Sequence, residues 1–416
     1  MSTESPRPSR SLPEKPDLRH LKDQAKDLVR SGEAPSVAQA QLRLAREYGF
    51  ASWPKLKAHV ESFHEIGQLK AAIDADDLEE VKRLMTRHPE LHRAPLRDGK
   101  SPPLTWVASS RVPPSETRLA MARWMIESGS DIHQGSDEPL VCTVLRDALL
   151  PMTELLVAHG ADVNAVTYGG TYPIILGPLE LFAPRTLKYL IDHGADLHAA
   201  AKSCCPIEML TCIYTRRARD KAACLEIVNA AGFALPDTPV MALHRSRLDL
   251  LQEHLDRDPS LLERRFTYGE VFFKHDGAPG DAYPATPVSG GTLLHLALEF
   301  DDIDVARWLI ERGADVNARA AINAEGVAGH TPLFHTVVNL AAGMGLEDDS
   351  KARLLLEHGA DPNARATFPQ EAKFHNHAPT DPFHDVTPVG YARRYPDRRC
   401  VNAPALAAII DRGGKE

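Results

Sequence analysis

Residues 155–165 read LLVAHGADVNA, and the chain repeats the phrase at 189–199 (YLIDHGADLHA), 308–318 (WLIERGADVNA) and 354–364 (LLLEHGADPNA). A looser copy, WMIESGSDIHQ, starts at Trp124. Self-similarity at a fixed period marks an array of stacked units and settles the architecture before any single residue is weighed. The glycines that end these runs stand 31 residues apart from Gly129 to Gly160, 34 from Gly160 to Gly194 and 46 from Gly313 to Gly359. The spacing predicts a unit near 33 residues with one insertion. Degenerate copies fill the gap between Gly194 and Gly313, one ending at Gly232.

The other half of each unit is legible in GTLLHLAL from Gly291 and HTPLFHTV from His330, with poorer versions at Ser101, Gly170 and Val386. Threonine is a good N-cap, and Pro332 fits a first helical turn, where its missing N–H is not needed. Each unit therefore reads as a helix, a tight turn, a second helix ending in LLxxG, and a protruding loop. Val305, Trp308 and Leu309 form the inward stripe of one such second helix. The glycine takes the left-handed conformation that ends the helix. Ala161 and Val163 tuck against the next unit, and Asp162 and Asn164 serve turn backbone groups by local side-chain bonds.

The pattern TPLxxA…LLxxGADxN resembles the ankyrin repeat. The resemblance covers roughly residues 66–413 in about nine units by period arithmetic. It implies an all-α ankyrin-repeat solenoid whose finger loops and first helices line a concave face that binds a protein partner. The block ending GFASWPKLKAHVE is similar to a helical leader found before ankyrin repeats in some bacterial proteins, which suggests a bacterial source.

Residues 1–16, rich in Pro, Ser and charge, read as a disordered tail. Residues 17–65 read as a small helical cap of three short amphipathic helices. Asp17, Ser36 and Ser52 are their N-caps, Gly49 is a stop, and Trp53, Leu56, Val60 and Phe63 make the third stripe. A longer period relates 79–93 to 249–265, and ARWMIESG at Ala122 to ARWLIERG at Ala306. It divides the repeats into a first array, 66–236, and a second, 237–416, meeting near Leu235.

The chain has 416 residues, 43% hydrophobic and 25% charged, as in a soluble folded protein. Its net charge of −9 argues against a nucleic-acid or anionic-membrane surface and favours a basic partner. With no apolar run long enough for a membrane span and no signal-peptide core, a cytoplasmic location is expected. Cys142, Cys204, Cys205, Cys212, Cys224 and Cys400 include no CxxC pair and read as buried thiols. A homo-oligomer is open but not indicated.

Three stretches break the period: 266–289, 319–329 and 365–386. The first carries Phe266, Tyr268, Phe272, Phe273 and Tyr283; the third carries Phe368, Phe374 and Phe383. Aromatic side chains on projecting loops are natural partner anchors, because they bury large area with few rotatable bonds. Alternatively, Phe272 and Phe273 fold back onto neighbouring helices. His375, His377, Asp381, His384 and Asp385 offer metal-ligand chemistry, so a metal-dependent site in 374–385, completed by His275 and Asp276, is the rival reading. Their spacing matches no HExxH or HxxxH face. With no nucleophile elbow, P-loop or dinucleotide fingerprint, no enzyme and no cofactor are expected. His244 and His295 read as structural residues near first-helix starts, and Asp301 and Asp302 as solvated turn acids.

Overall fold

The structure, a computed structural model, describes residues 10–13, 16–96, 101–167, 169–272, 284–322, 328–368 and 383–416. The fold is all-α in the ankyrin-repeat manner, with short two-stranded ribbons at some loop bases. The chain divides into two compact units, Met1–Thr143 with Pro151–Asp162, and Val144–Leu150 with Val163–Glu416. The junction expected near Leu235 lies inside the second unit.

The first unit opens with α1 (Leu18–Arg30), α2 (Val37–Glu47) and α3 (Trp53–Asp74). Asp17 caps α1 by accepting from the Arg19 and His20 amides, Ser36 caps α2 through Gln39, and Gly49 turns left-handed after it. Trp53 packs on both small clusters, one around Leu21 and Leu56, the other around Ala25 and Leu44. The sequence had α3 ending near residue 65, but it continues to Asp74. Leu69 and Ile73 extend its buried stripe, while Phe63 faces solvent. α4 (Leu78–Arg87), α5 (Pro103–Ser109) and α6 (Glu116–Glu127) follow.

In the second unit, α7 (Pro184–Asp192), α8 (Pro206–Cys212), α9 (Ala218–Ala230), α10 (Pro239–His244) and α11 (Leu248–Arg257) precede the first insertion. Beyond it stand three helix pairs. They are α12 (Leu293–Glu299) with α13 (Ile303–Glu311), α14 (Phe334–Val337) with α15 (Ser350–Glu357), and α16 (Pro388–Arg394) with α17 (Ala403–Asp411). One apolar cluster runs from Val240 to Ile409 through Leu294, Leu309, Phe334, Leu355 and Val389. No helix pair could bury its stripe alone, which is why these helix pairs stack.

The α12–α13 pair illustrates the local logic. Thr292 and His295 form a capping box at the start of α12. Asp301, at φ +62°, takes the left-handed position that ends the helix, and Asp302 then caps α13 by accepting from the Val305 amide at 3.0 Å. Both acids belong to the packing: Asp302 is buried, and Asp301 pairs with the Lys351 ammonium at 2.8 Å. They are not the solvated turn acids the sequence suggested.

The repeated glycines do turn left-handed, with φ of +99° at Gly160, +91° at Gly194, +94° at Gly313 and +86° at Gly359. The asparagine of the phrase works over a longer range than expected. Asn164 donates to the Gly194 carbonyl at 3.0 Å and accepts from the Asp196 amide at 2.8 Å. Asn317 joins Gly359 and Asp361 in the same way, and Asn363 joins Gly413 and Lys415. The local bonds belong to the aspartates: Asp315 accepts from the Asn317 amide, Asp361 from the Asn363 amide. In these three copies the asparagine ties one turn to the next; in the copy at 189–199 the position is His198, which contacts the Ala231 carbonyl at 3.1 Å.

Candidate functional site

The first insertion supplies one wall of a cleft of ≈ 470 Å³ within the second unit. The opposite wall is the start of α10 and the end of α11. Val240, Met241, Phe266 and Val271 make an apolar floor, all nearly inaccessible to solvent. Its volume and apolar lining are those of a ligand or side-chain pocket. Arg257, His254 and Asp237 stand on one lip, Arg264 and Glu270 on the other. Glu270 is fixed by the Thr267 amide at 2.8 Å and by Arg264 at 2.6 Å. Asp237 is loosely held, its two oxygens 3.2 Å from His254 Nε2 and 3.5 Å from Arg257 Nη1.

His244 closes the back of the cleft. It ends its helix rather than starting it. Its Nε2–H donates to the Val271 carbonyl at 3.2 Å, and its Nδ1 accepts from the Lys221 ammonium at 2.9 Å. Burial first, then the Lys221 charge, holds its pKa well below the imidazole range. Lys221 lies over the Phe300 ring, 4.3 Å from its centre. Burial and the neighbouring Arg216 charge bring its pKa down to about 7. The pair fills the space behind the cleft with polar atoms that are already mutually bonded.

On α12, α14 and α16, the first-helix face expected to await a partner is closed by the chain itself. The insertion returns through Pro284–Val288. The Ala285 amide donates to Glu299 Oε1 at 3.1 Å, its carbonyl accepts from the hydroxyls of Tyr391 (3.2 Å) and Tyr395 (3.3 Å), and the Thr286 hydroxyl donates to the Val338 carbonyl at 2.9 Å. Beneath this segment Glu299 is fully buried. It also accepts from Arg216 Nη2 at 3.2 Å and stands 3.0 Å from His335 Nδ1. Arg216 is equally buried, and it also donates to the carbonyls of Ile213, Thr215 and Glu299. Nothing in the local sequence signals this network, because the groups that meet are up to 119 residues apart in the chain, from Arg216 to His335.

His295 follows the expected structural role. Its Nδ1 accepts from the Thr292 amide at 3.1 Å and its Nε2–H donates to the His330 carbonyl at 3.1 Å. Burial, reinforced by His335, pushes its pKa down to about 3.

The structure separates the aromatic residues proposed as partner anchors. Phe266 and Phe272 are buried, the latter edge-on against Phe300 at 6.0 Å, so here the insertion folds back onto its helices. Phe383 is buried edge-on against Tyr391 at 5.1 Å. All three hold loop bases down; Phe272 and Phe383 spend their apolar area on the core, while Phe266 also lines the cleft. Tyr268 is half-buried beside Phe272. Phe273, Tyr283 and Phe374 lie outside the described residues. Phe368 ends the strand Ala366–Phe368, which pairs antiparallel with the strand Phe383–Val386.

Of the metal-ligand candidates, His275, Asp276, His375, His377 and Asp381 lie outside the described residues. His384 and Asp385 are exposed, and Asp385 pairs with Arg365 at 2.9 Å. Among the described residues, the ligand-type side chains that cluster are Glu65, His88 and Glu90 in the first unit. His88 offers Nε2 to Glu65 and Nδ1 to Glu90, each at 3.3 Å. The imidazole faces the two carboxylates with opposite nitrogens, so a single ion held by the group could use only one of them.

Residues 289–321 match the ankyrin repeat family. The match spans the α12–α13 unit, in the phase set by Gly313, so the chain carries an ankyrin repeat there. No curated protein matches the chain in sequence. Among solved structures, the human ASB11 ankyrin repeat domain is similar at 17% identity, covering 76% of this chain and 100% of that one, with a TM-score of 0.29. Among the described residues, no helix is long and apolar enough to cross a membrane.

Proposed function

We propose that the chain is a non-catalytic interaction module that binds a protein partner at the cleft between α10, α11 and the base of the first insertion. The observation that carries this reading is the contrast between two surfaces of the second unit. The α12–α16 face is filled by Pro284–Val288, whereas the cleft keeps an apolar floor beneath a charged rim. A preformed cleft on packed helices loses little ordering entropy when a partner segment enters. The polar groups behind the cleft, His244 and Lys221, satisfy each other and Val271, which suits a scaffold better than a reacting centre. We read the module as cytoplasmic, with no nucleic-acid or membrane partner.

The test places a photo-crosslinking residue at Gly269, on the cleft wall and exposed, and another at Arg219, exposed elsewhere on the same unit. A partner crosslinked from Gly269 and not from Arg219, and lost on Met241→Arg with the helical spectrum retained, is the expected result. Equal crosslinking from both positions would refute the assignment.

A further inference from the structure

We infer that the cleft recognises the free C-terminal residue of a partner polypeptide, an apolar side chain seated on the floor and its carboxylate between His254 and Arg257. The inference rests on the binding-module reading and adds the chemistry of the partner.

Three features of the lip point to a carboxylate. His254 is almost wholly covered, yet its buried Nε2 has no hydrogen-bond partner among the described residues; it has only a poorly directed ionic contact with Asp237 at 3.2 Å. Arg257 spends Nε on the Glu253 carbonyl at 3.1 Å and turns Nη1 towards the cleft, where Asp237 is a distant 3.5 Å. Asp237 itself is 71% exposed and touches His254 without good direction and Arg257 only at 3.5 Å. Buried donors are normally satisfied. Here an internal carboxylate sits where a better-placed one would bond both groups, and it can swing into water at little cost when displaced.

The floor decides what carries that carboxylate. Val240, Met241, Phe266 and Val271 lie directly inside the lip, so the charge and the apolar group must be close together, as they are on a terminal residue. The second lip argues for a polypeptide over a small acid. Arg264 and Glu270 form a fixed pair at 2.6 Å along the second lip, a mixed-charge edge along which the preceding peptide groups can run. The net charge of −9 makes a bulk acidic partner unfavourable, so the lip offers a single local anion site, not a basic surface.

The full chain is titrated with dye-labelled hexapeptides Gly-Ser-Gly-Ser-Gly-Phe, one ending in the acid and one in the amide, and with Gly-Ser-Gly-Phe-Glu-Gly amide as an internal-acid control. Saturable binding of the acid alone is expected. Asp237→Asn should tighten it by removing the internal competitor, and Arg257→Gln should weaken it at least about tenfold, the worth of one charge-assisted bond. Both positions are exposed, so neither change threatens the fold. Equal binding of acid and amide, preference for the internal acid, or no change on Asp237→Asn would overturn the inference. So would crosslinking of a partner at Gly269 with no binding of any peptide, an outcome that leaves the module reading standing.

Discussion

The carboxylate of Glu299 stands 3.0 Å from His335 Nδ1 and 3.2 Å from Arg216 Nη2, and all three side chains are buried. A charge taken out of water is tolerable only beside its partners. Glu299→Gln keeps the shape and takes from the Arg216 guanidinium its carboxylate partner, at a cost of about 3–5 kcal/mol. Replacing both, Glu299→Leu with Arg216→Met, should cost less than Glu299→Gln alone. Urea unfolding read from Trp308, the one tryptophan after residue 124, in a background with the other three changed to Phe, measures both. A loss under about 1 kcal/mol for Glu299→Gln would mean water reaches Arg216.

The buried imidazoles predict acid sensitivity. His295 is brought down to about 3, and His244 and His330 are held well below their ordinary value, in each case chiefly by burial. Unfolded histidine takes up a proton near pH 6.5, whereas these remain neutral while folded. Their stabilising contribution is therefore complete above pH 6.5 and lost as pH falls below it, at about 1.4 kcal/mol per pH unit for each histidine. Urea midpoints at pH 7.5, 6.5 and 5.5 should fall below 6.5, and His295→Gln should make the fall shallower. A flat profile would show that the imidazoles protonate inside the fold.

Lys221 acts in the opposite window. Folded, it releases its proton near pH 7; unfolded, near 10.4. Between those values the unfolded chain binds the extra proton, so stability rises with pH by about 1.4 kcal/mol per unit. Its neighbours are His244, Arg216, Asp302 and the Phe300 ring. Lys221→Met keeps the stem against Phe300 and should flatten the rise between pH 7.5 and 9.5. An unchanged slope in that variant would place the titration elsewhere.

How much of this was readable in the sequence depends on range. The glycine φ values, the caps at Asp17, Ser36 and Thr292, and the buried stripe of Val305 and Leu309 follow from neighbours within one helical turn. Phe383 reads as a projecting anchor, and Phe272 equally as anchor or fold-back residue, because an aromatic residue in a long loop looks alike in either case. Glu299 reads as an ordinary surface acid until Ala285, Arg216 and His335 arrive from three other elements. The cleft is harder still, since its floor joins Met241 to Phe266 across a segment that fits the repeat poorly.

The Ala285 carbonyl, which accepts from Tyr391 and Tyr395 together, gives the closed face a redundant latch. Tyr391→Phe or Tyr395→Phe alone leaves one donor and should cost about 1 kcal/mol. The double change strands a buried carbonyl, so its cost should exceed the sum of the singles by about 1–2 kcal/mol. A double-mutant cycle in urea measures the excess. Strict additivity would mean that the two hydroxyls do not share this carbonyl.

Asp301 sets backbone strain against charge. At φ +62° a glycine would sit more easily, and Asp301→Gly relieves roughly 1 kcal/mol on that account. The same change takes from Lys351, whose side chain is 5% exposed, its 2.8 Å partner and leaves only Asp348 at 3.4 Å. Losing the close partner of a buried ammonium costs about 3–5 kcal/mol, so charge outweighs strain and the variant should be less stable by roughly 2 kcal/mol. Asp76 repeats the device in the first unit, with φ +57° and an ion pair to the buried Arg118, so Asp76→Gly should destabilise as well. Adding Lys351→Met to Asp301→Gly removes the stranded charge and should recover most of the loss. If Asp301→Gly alone is stabilising, strain dominates and the ion pair contributes little to holding the two repeats together.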